Sequence, residues 1–202
     1  MKLGAAAKLR AWSRRLPGLF RPRDLQEAGI PTGRLRMMIA RGEVDRIGRG
    51  LYRRRNLAPS EHETVAMVSK RVPGAIICLL TALHVHRIGT QVSKDVWIAL
   101  DRKARKPRLS ELPIRVIRFS GPMLRYGVLA RDIEGVTCRI TSPARTVVDC
   151  FRYRNKVGLD VALEALRDVL RTRRATVDEI SRAAEVCRIL SVIRPYIEAM
   201  VS

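Results

Sequence analysis

Glycine and proline punctuate residues 20–55 so closely that few folds can hold the segment. Phe20-Arg-Pro-Arg-Asp-Leu-Gln-Glu-Ala-Gly29 reads as a short helix stopped by Gly29. Pro22 falls in its first turn, where a missing N–H is harmless. Ile30-Pro31 turns the chain. Thr32 can then cap a second helix, Gly33 to about Gly42, by accepting an orphan backbone N–H through its hydroxyl. Val44–Ile47 and Leu51–Arg54 are strand-like runs joined by Gly48-Arg49-Gly50, whose glycines permit the positive φ of a tight hairpin. Helix, turn, helix and basic hairpin, in that order, make a winged helix-turn-helix.

At about 100° per residue, Leu35, Met38 and Ile39 share one arc of the second helix and are expected to pack on the first helix and on Leu51. The opposite arc holds Gly33, Met37 and Ala40, flanked by Arg34, Arg36 and Arg41. Small residues at the crown let a helix approach base edges, and arginines at its margins reach phosphates or guanine. Arg46, Arg49, Arg53, Arg54 and Arg55 add charge on the hairpin. The candidate DNA-binding residues are therefore Thr32, Gly33, Arg34, Arg36, Met37, Arg41, Arg46, Arg49 and Arg53. The competing reading is a solvated amphipathic helix followed by a charged hairpin. Turn chemistry, helix faces and charge agree on double-stranded DNA.

The chain carries 40 Lys+Arg against 19 Asp+Glu. Residues 1–60 hold 15 basic and 4 acidic residues, residues 61–142 hold 14 and 7, and residues 143–202 hold 11 and 8. Of the 40 basic residues 33 are arginine, which a GC-rich genome can explain. Codon usage does not explain the gradient, which peaks where the DNA-reading pattern lies, as an electrostatic footprint should.

Cys78, Cys138, Cys150 and Cys187 are widely spaced and form no CxxC pair, so free buried thiols in a reducing compartment are expected rather than disulfides or zinc. Lys2, Lys8, Arg10, Arg14 and Arg15 interrupt the N-terminus and deny it the apolar core of a signal peptide. Leu9, Trp12 and Leu16 recur there at helical spacing. No apolar run approaches the roughly 20 residues that span a membrane. The expectation is a cytoplasmic protein without cofactor or metal.

A boundary falls near Asn56-Leu-Ala-Pro59, which divides the chain into a DNA-binding domain, 1–58, and an α+β domain, 59–202. Ser60 and Glu63 form a capping-box pattern for a helix through about Arg71, with Val65 and Val68 inward and Pro73-Gly74 as its end. Ala75–Leu80 reads as a buried strand and Thr81–Ile88 as a short helix closed by Gly89. Val96–Leu100 and Ile114–Phe119 are the clearest strands, with a basic loop, Arg102–Arg108, between them. Val128–Ile140 supplies two more strands around Glu134-Gly135. Ser142-Pro143 opens a helix through about Arg152, on which Arg145 and Asp149 can pair at i, i+4. Helices over 158–172, 176–188 and 191–200 follow. The fold class is α+β: a winged helix-turn-helix, then a small mixed sheet with a C-terminal helical region.

These residues carry a resemblance. The segment LFRPRDLQEAGIPTGRLRMMIARGEVDRIGRGLYRR is similar to the winged-helix domain of the AbiEi-family antitoxins of bacterial abortive-infection systems. LLTALHVHRIG (Leu79–Gly89) and TSPARTVVDC (Thr141–Cys150) resemble that family's recurring Ala-Leu-x-x-His and Arg-Thr-x-x-Asp segments. The resemblance implies an antitoxin that represses its own operon. It also implies that the second domain counters a nucleotidyltransferase-like toxin, with direct contact left open. An orphan winged-helix regulator is the alternative. One winged helix offers a small interface and the chain shows no heptad seam, so a monomer in solution that binds inverted repeats cooperatively is expected.

Two enzyme-like patterns were weighed. Asp101-Arg-Lys103 has the Asp-x-Lys spacing of metal-dependent nucleases, but the next carboxylate on the strand, Asp95, lies roughly 20 Å away. The segment reads instead as a basic loop, and no catalytic residue is assigned. His84 and His86 diverge on a helix, so one is expected in the core or hydrogen-bonded and the other exposed. Arg145-Thr146-x-x-Asp149 could present a polar face to a toxin or orient its helix against the sheet, and the second is favoured.

Overall fold

The computed structural model describes residues 16–55, 60–107, 109 and 112–201. The N-terminal helix expected through Leu9 and Trp12 and the boundary at 56–59 lie outside them. The architecture is α+β, and the chain divides into two compact units. One comprises Met1–Pro73 with Asp132–Thr137; the other comprises Gly74–Arg131 with Cys138–Ser202.

In the first unit, β1 (Leu19–Phe20), β2 (Val44–Gly48) and β3 (Leu51–Arg54) form an antiparallel sheet in the order β1-β3-β2. Helices α1 (Pro22–Glu27) and α2 (Arg34–Ala40) are inserted between β1 and β2. Both end in the same device. Gly29, at φ +69°, and Gly42, at φ +67°, occupy the left-handed position after the helix. The next N–H reaches back five residues, from Ile30 to the Leu25 carbonyl at 2.7 Å and from Glu43 to the Met38 carbonyl at 3.0 Å. This is a Schellman closure, whose αL residue is glycine because a Cβ there is strained. Leu25, Ile30 and Met38 are themselves buried, in one core with Phe20, Leu35 and Val44. The backbone stops that turn the chain thus also anchor both helices to the core.

Details of this unit differ from the sequence expectation. Gly33, already in αR geometry, is the N-cap of α2, and no side chain caps the helix. Thr32 accepts the Leu35 N–H through its backbone carbonyl at 3.1 Å, not its hydroxyl. Met38 is fully buried whereas Ile39 is 38% exposed. Packing centred on Met38 rotates the buried arc, so Met37 is half-buried against the core and Ile39 sits at its edge. In the hairpin, Gly48 pairs with Leu51 and leaves Arg49-Gly50 as the turn, where Gly50 takes φ +66°. Helix α3 (Glu63–Arg71) has His62 as N-cap, and the capping box does not form. The Glu63 carboxylate accepts from the Arg53 guanidinium at 2.9 Å instead, since a cation competes better for it than a neutral amide. Val65 and Val68 face inward and α3 stops before Pro73, as expected.

The second unit is built on a five-stranded sheet ordered β6-β5-β4-β8-β7. Its strands are β4 (Ile76–Ile77), β5 (Val96–Asp101), β6 (Ile114–Phe119), β7 (Val128–Ile133) and β8 (Val136–Thr141). It is mixed: β4 runs antiparallel to β5 and parallel to β8, and β5 runs parallel to β6. The strand read over Ala75–Leu80 shrinks to Ile76–Ile77, because α4 (Leu79–His86) starts at Leu79. A run buried on every side carries no period, so strand and helix look alike in it. Arg87, at φ +53°, ends α4 two residues before the expected Gly89.

Helix α5 (Pro143–Arg152) is the hub of this unit. Ser142 caps it by accepting the Arg145 N–H, Pro143 occupies its first turn, and every residue from Ala144 to Phe151 is buried. Val147, Val148 and Phe151 join a core with Trp97 and Phe119. The remaining helices are α6 (Arg154–Val157), α7 (Leu159–Arg171), α8 (Val177–Val186) and α9 (Leu190–Val201). Thr176 and Glu179 close the reciprocal capping box that opens α8. All four cysteines are free and buried.

Candidate nucleic-acid interface

Rotation of α2 about its buried side sets what it offers to solvent. With Leu35 and Met38 turned in, the arc opposite carries Gly33, Arg34, Arg36, Ala40 and Arg41, all exposed, with Met37 half-buried among them. The Arg34 guanidinium lies 3.4 Å from the Met37 sulfur. Gly33 adds nothing bulky to the helix start, and a Cβ placed there would meet no atom within 4 Å. Thr32 is exposed beside it. Arg36 and Arg41 form no ion pair among the described residues. This face combines small residues with cations lacking acidic partners, which suits close approach to a polyanion.

The hairpin arginines split into two groups that the sequence could not separate. Arg46 and Arg49 are exposed; Arg46 bonds only the Gly48 carbonyl of its own turn, at 3.4 Å. Arg53, Arg54 and Arg55 are held by the fold. Arg53 is tied to Glu63 at 2.9 Å and lies 3.9 Å from Asp45. Arg54 donates to the Leu16 carbonyl at 2.9 Å. Arg55 grips Asp45 through Nε and Nη2, the shorter bond 2.6 Å, and this bond holds the Asp45 carboxyl below its ordinary range. The accessible positive charge of the hairpin is thus Arg46 and Arg49 at and beside the turn. Of the nine candidates, Arg53 is the one whose guanidinium is turned to a carboxylate of α3.

Other polar clusters fall elsewhere. Asp101 Oδ1 accepts the Lys103 backbone N–H at 2.7 Å, while Asp95, before the start of β5, pairs with Arg115 at 2.6 Å. The two carboxylates of the Asp-x-Lys reading therefore flank opposite ends of one strand. His86 bonds the Thr141 carbonyl through Nε2 at 2.7 Å, and burial holds its pKa below the ordinary value, helped by Arg131 and Arg174. His84 is half-buried rather than exposed. No group of three or more His, Cys, Asp or Glu side chains among the described residues could hold a metal, and no described helix is long and apolar enough to cross a membrane.

The Arg-Thr-x-x-Asp segment is interior. Arg145 and Asp149 are both fully buried and pair at 2.9 Å. The guanidinium also donates to the Met123 carbonyl at 3.2 Å and the Tyr126 carbonyl at 2.7 Å, and lies over the Phe119 ring at 4.7 Å. Burial pushes the Asp149 carboxyl up to about 6, against the pull of Arg145. Thr146 bonds Thr141 at 2.7 Å and the Ser142 carbonyl at 2.8 Å. With no exposed atom to offer, the segment orients α5 rather than facing a partner.

Comparison with known proteins agrees with the reading of the first 55 residues. Residues 7–55 match the family model described as "Transcriptional regulator, AbiEi antitoxin"; Leu79–Gly89 and Thr141–Cys150 lie outside that match. No curated protein matches the sequence. Among solved structures, the crystal structure of the RV2827C protein from Mycobacterium tuberculosis is similar in fold, with a TM-score of 0.60 at 14% identity, over 97% of this chain and 80% of that one. Over residues 7–55, the stretch that builds the exposed arginine face and the hairpin, the chain carries the domain of the AbiEi antitoxin transcriptional regulators.

Proposed function

We propose that the chain is an antitoxin and autorepressor that reads double-stranded operator DNA through its N-terminal part. In this reading α1 and α2 are the helix-turn-helix, α2 is the recognition helix and the β2–β3 hairpin is the wing. Residues 1–58 carry the DNA contacts, and the Glu63–Arg53 pair braces the wing from α3. The observation that carries the reading is the α2 face, where Arg36 and Arg41 flank small residues without any ion-pair partner among the described residues. Gly33, Arg34 and Met37 complete the surface toward the major groove, with Thr32 at its entry. Arg46 and Arg49 reach backbone phosphates. Residues 59–202 counter a nucleotidyltransferase-like toxin, as the family of the N-terminal domain suggests.

Two variants test the division of labour. Arg36→Ala lowers the ratio of operator to unrelated DNA affinity by roughly 5- to 150-fold if its guanidinium reads a base, the equivalent of about 1–3 kcal/mol. Arg49→Ala weakens both DNAs alike, as loss of a phosphate contact does. Gel shifts on the two duplexes measure this, and an Arg36→Ala variant with unaltered discrimination removes Arg36 from base reading. For the antitoxin role, co-expression with a nucleotidyltransferase-like toxin encoded beside the gene should restore growth. A toxin that still arrests growth leaves only the repressor.

One such module buries roughly 600–1,000 Å² on DNA, too little for tight repression alone. The protein is therefore expected as a monomer in solution, with two copies binding an inverted repeat cooperatively on half-sites about one helical turn apart. Light scattering showing a stable dimer at low micromolar concentration, or equal affinity for one and two half-sites, contradicts this arrangement.

A further inference from the structure

The parallel strands β5 and β6 end at one cavity of about 850 Å³, within the roughly 300–1,000 Å³ of small-molecule sites. One wall is the loop after β5, with Asp101, Arg102 and Lys103; the other is the turn after β6, with Pro122, Leu124 and Arg125. Asp101 and Phe119 are register partners, so the two loops leave the sheet side by side. Ligands of open sheets gather in this place, outside the carboxyl ends of parallel strands.

The walls are fixed by arginines that donate to main-chain carbonyls. Arg118 Nη1 holds the Asp101 and Ala104 carbonyls at 2.9 and 2.8 Å. Arg139 Nη2 holds the Leu124 carbonyl at 2.9 Å. The fully buried Arg145 holds the Met123 and Tyr126 carbonyls at 3.2 and 2.7 Å. The cations lining the cavity are treated in the opposite way. Arg102, Lys103 and Arg125 are exposed, and their side chains have no hydrogen-bond or ion-pair partner among the described residues. Asp101, the one lining carboxylate, already accepts from the Lys103 backbone. A backbone pinned from inside thus displays three unused cations against one carboxylate, with Pro122 and Leu124 as an apolar wall.

We propose that this cavity binds a small phosphate-bearing anion of about nucleotide size. The guanidinium and ammonium groups take its phosphates, since Arg offers a planar fork and Lys a compact charge to phosphate oxygens, and the Pro122–Leu124 wall takes its apolar part. Isothermal titration of the full-length protein at physiological salt, with ATP, pyrophosphate and inorganic phosphate as probes, tests it. One saturable ATP site per chain is expected. Lys103→Ala/Arg125→Ala should weaken it about tenfold or more, given charge-assisted bonds of about 1.5–3 kcal/mol each. Arg102→Ala serves as an independent variant, and circular dichroism checks that each remains folded. Lys156→Ala/Arg182→Ala, which removes equal charge from exposed positions on α6 and α8, should leave ATP affinity unchanged. ATP binding more tightly than pyrophosphate assigns the site to nucleotides; equal binding assigns it to the phosphates alone, and both support the proposal. No saturable binding of any probe, an equal loss in the Lys156/Arg182 control, or complete displacement by an unrelated DNA duplex overturns it.

Discussion

Arg145→Met is expected to lower the stability of the C-terminal unit by about 3–5 kcal/mol at pH 7.5, the cost of leaving one charge of a buried pair alone. The guanidinium neutralises Asp149 and satisfies the Met123 and Tyr126 carbonyls, and its loss orphans all three. The deficit should shrink in acid. Asp149 sits above its ordinary carboxyl value of 3.8, at about 6, because of burial, and Arg145 is the first-ranked force holding it down. Without Arg145 the carboxyl rises further. A group raised in the folded state contributes stability that is full below its unfolded pKa and lost as pH rises through the folded one. In the wild type that loss runs from about 3.8 to about 6; in the variant it extends higher, so destabilisation is milder at pH 5. Replacing both partners, Arg145→Met/Asp149→Leu, should recover much of the deficit, as apolar replacements of buried pairs do. Urea melts followed by helical circular dichroism measure all three. A single variant as stable as the wild type at pH 7.5 contradicts the role given to the pair.

The second large effect is the salt dependence of operator binding. Arg34, Arg36, Arg41, Arg46 and Arg49 are exposed on the proposed surface. If about four of them per copy touch phosphates, affinity should fall with a log–log slope of about −3.6 per copy, and about twice that for a cooperatively bound pair. Between 50 and 200 mM salt a slope of about −7 corresponds to roughly four decades of affinity. Arg36→Glu/Arg49→Glu should flatten the slope by at least two per copy, whereas Arg53→Ala should change it little, because Arg53 already serves Glu63. A wild-type slope near −1 would leave the arginine face without its assigned phosphates.

Much of this fold was legible in residue order. Gly29 and Gly42 announced the ends of α1 and α2 because only glycine enters the left-handed closure without strain. Alternation marked Ile114–Phe119, and Ser142-Pro143 marked the start of α5. Other features depended on contacts between residues far apart in the chain. Glu63 left the local capping box for Arg53, ten residues earlier. Arg54 and Arg55 read as surface charge until the structure gave them Leu16 and Asp45. Ile39 and Met37 exchanged expected environments because the rotation of a seven-residue helix is set by the core it meets. The candidate interface was therefore legible as a segment and a charge, while the division of its arginines into braces and free cations was not.

The central claim is that the N-terminal domain reads a sequence and does more than attract polyanions. Competition binding of the full-length protein to its own promoter and to a scrambled duplex of equal length and composition, at physiological salt, tests it most directly. The account predicts a promoter preference of about 10³-fold or more, the lower bound for specific DNA-binding proteins. Equal affinity for the two duplexes would contradict it.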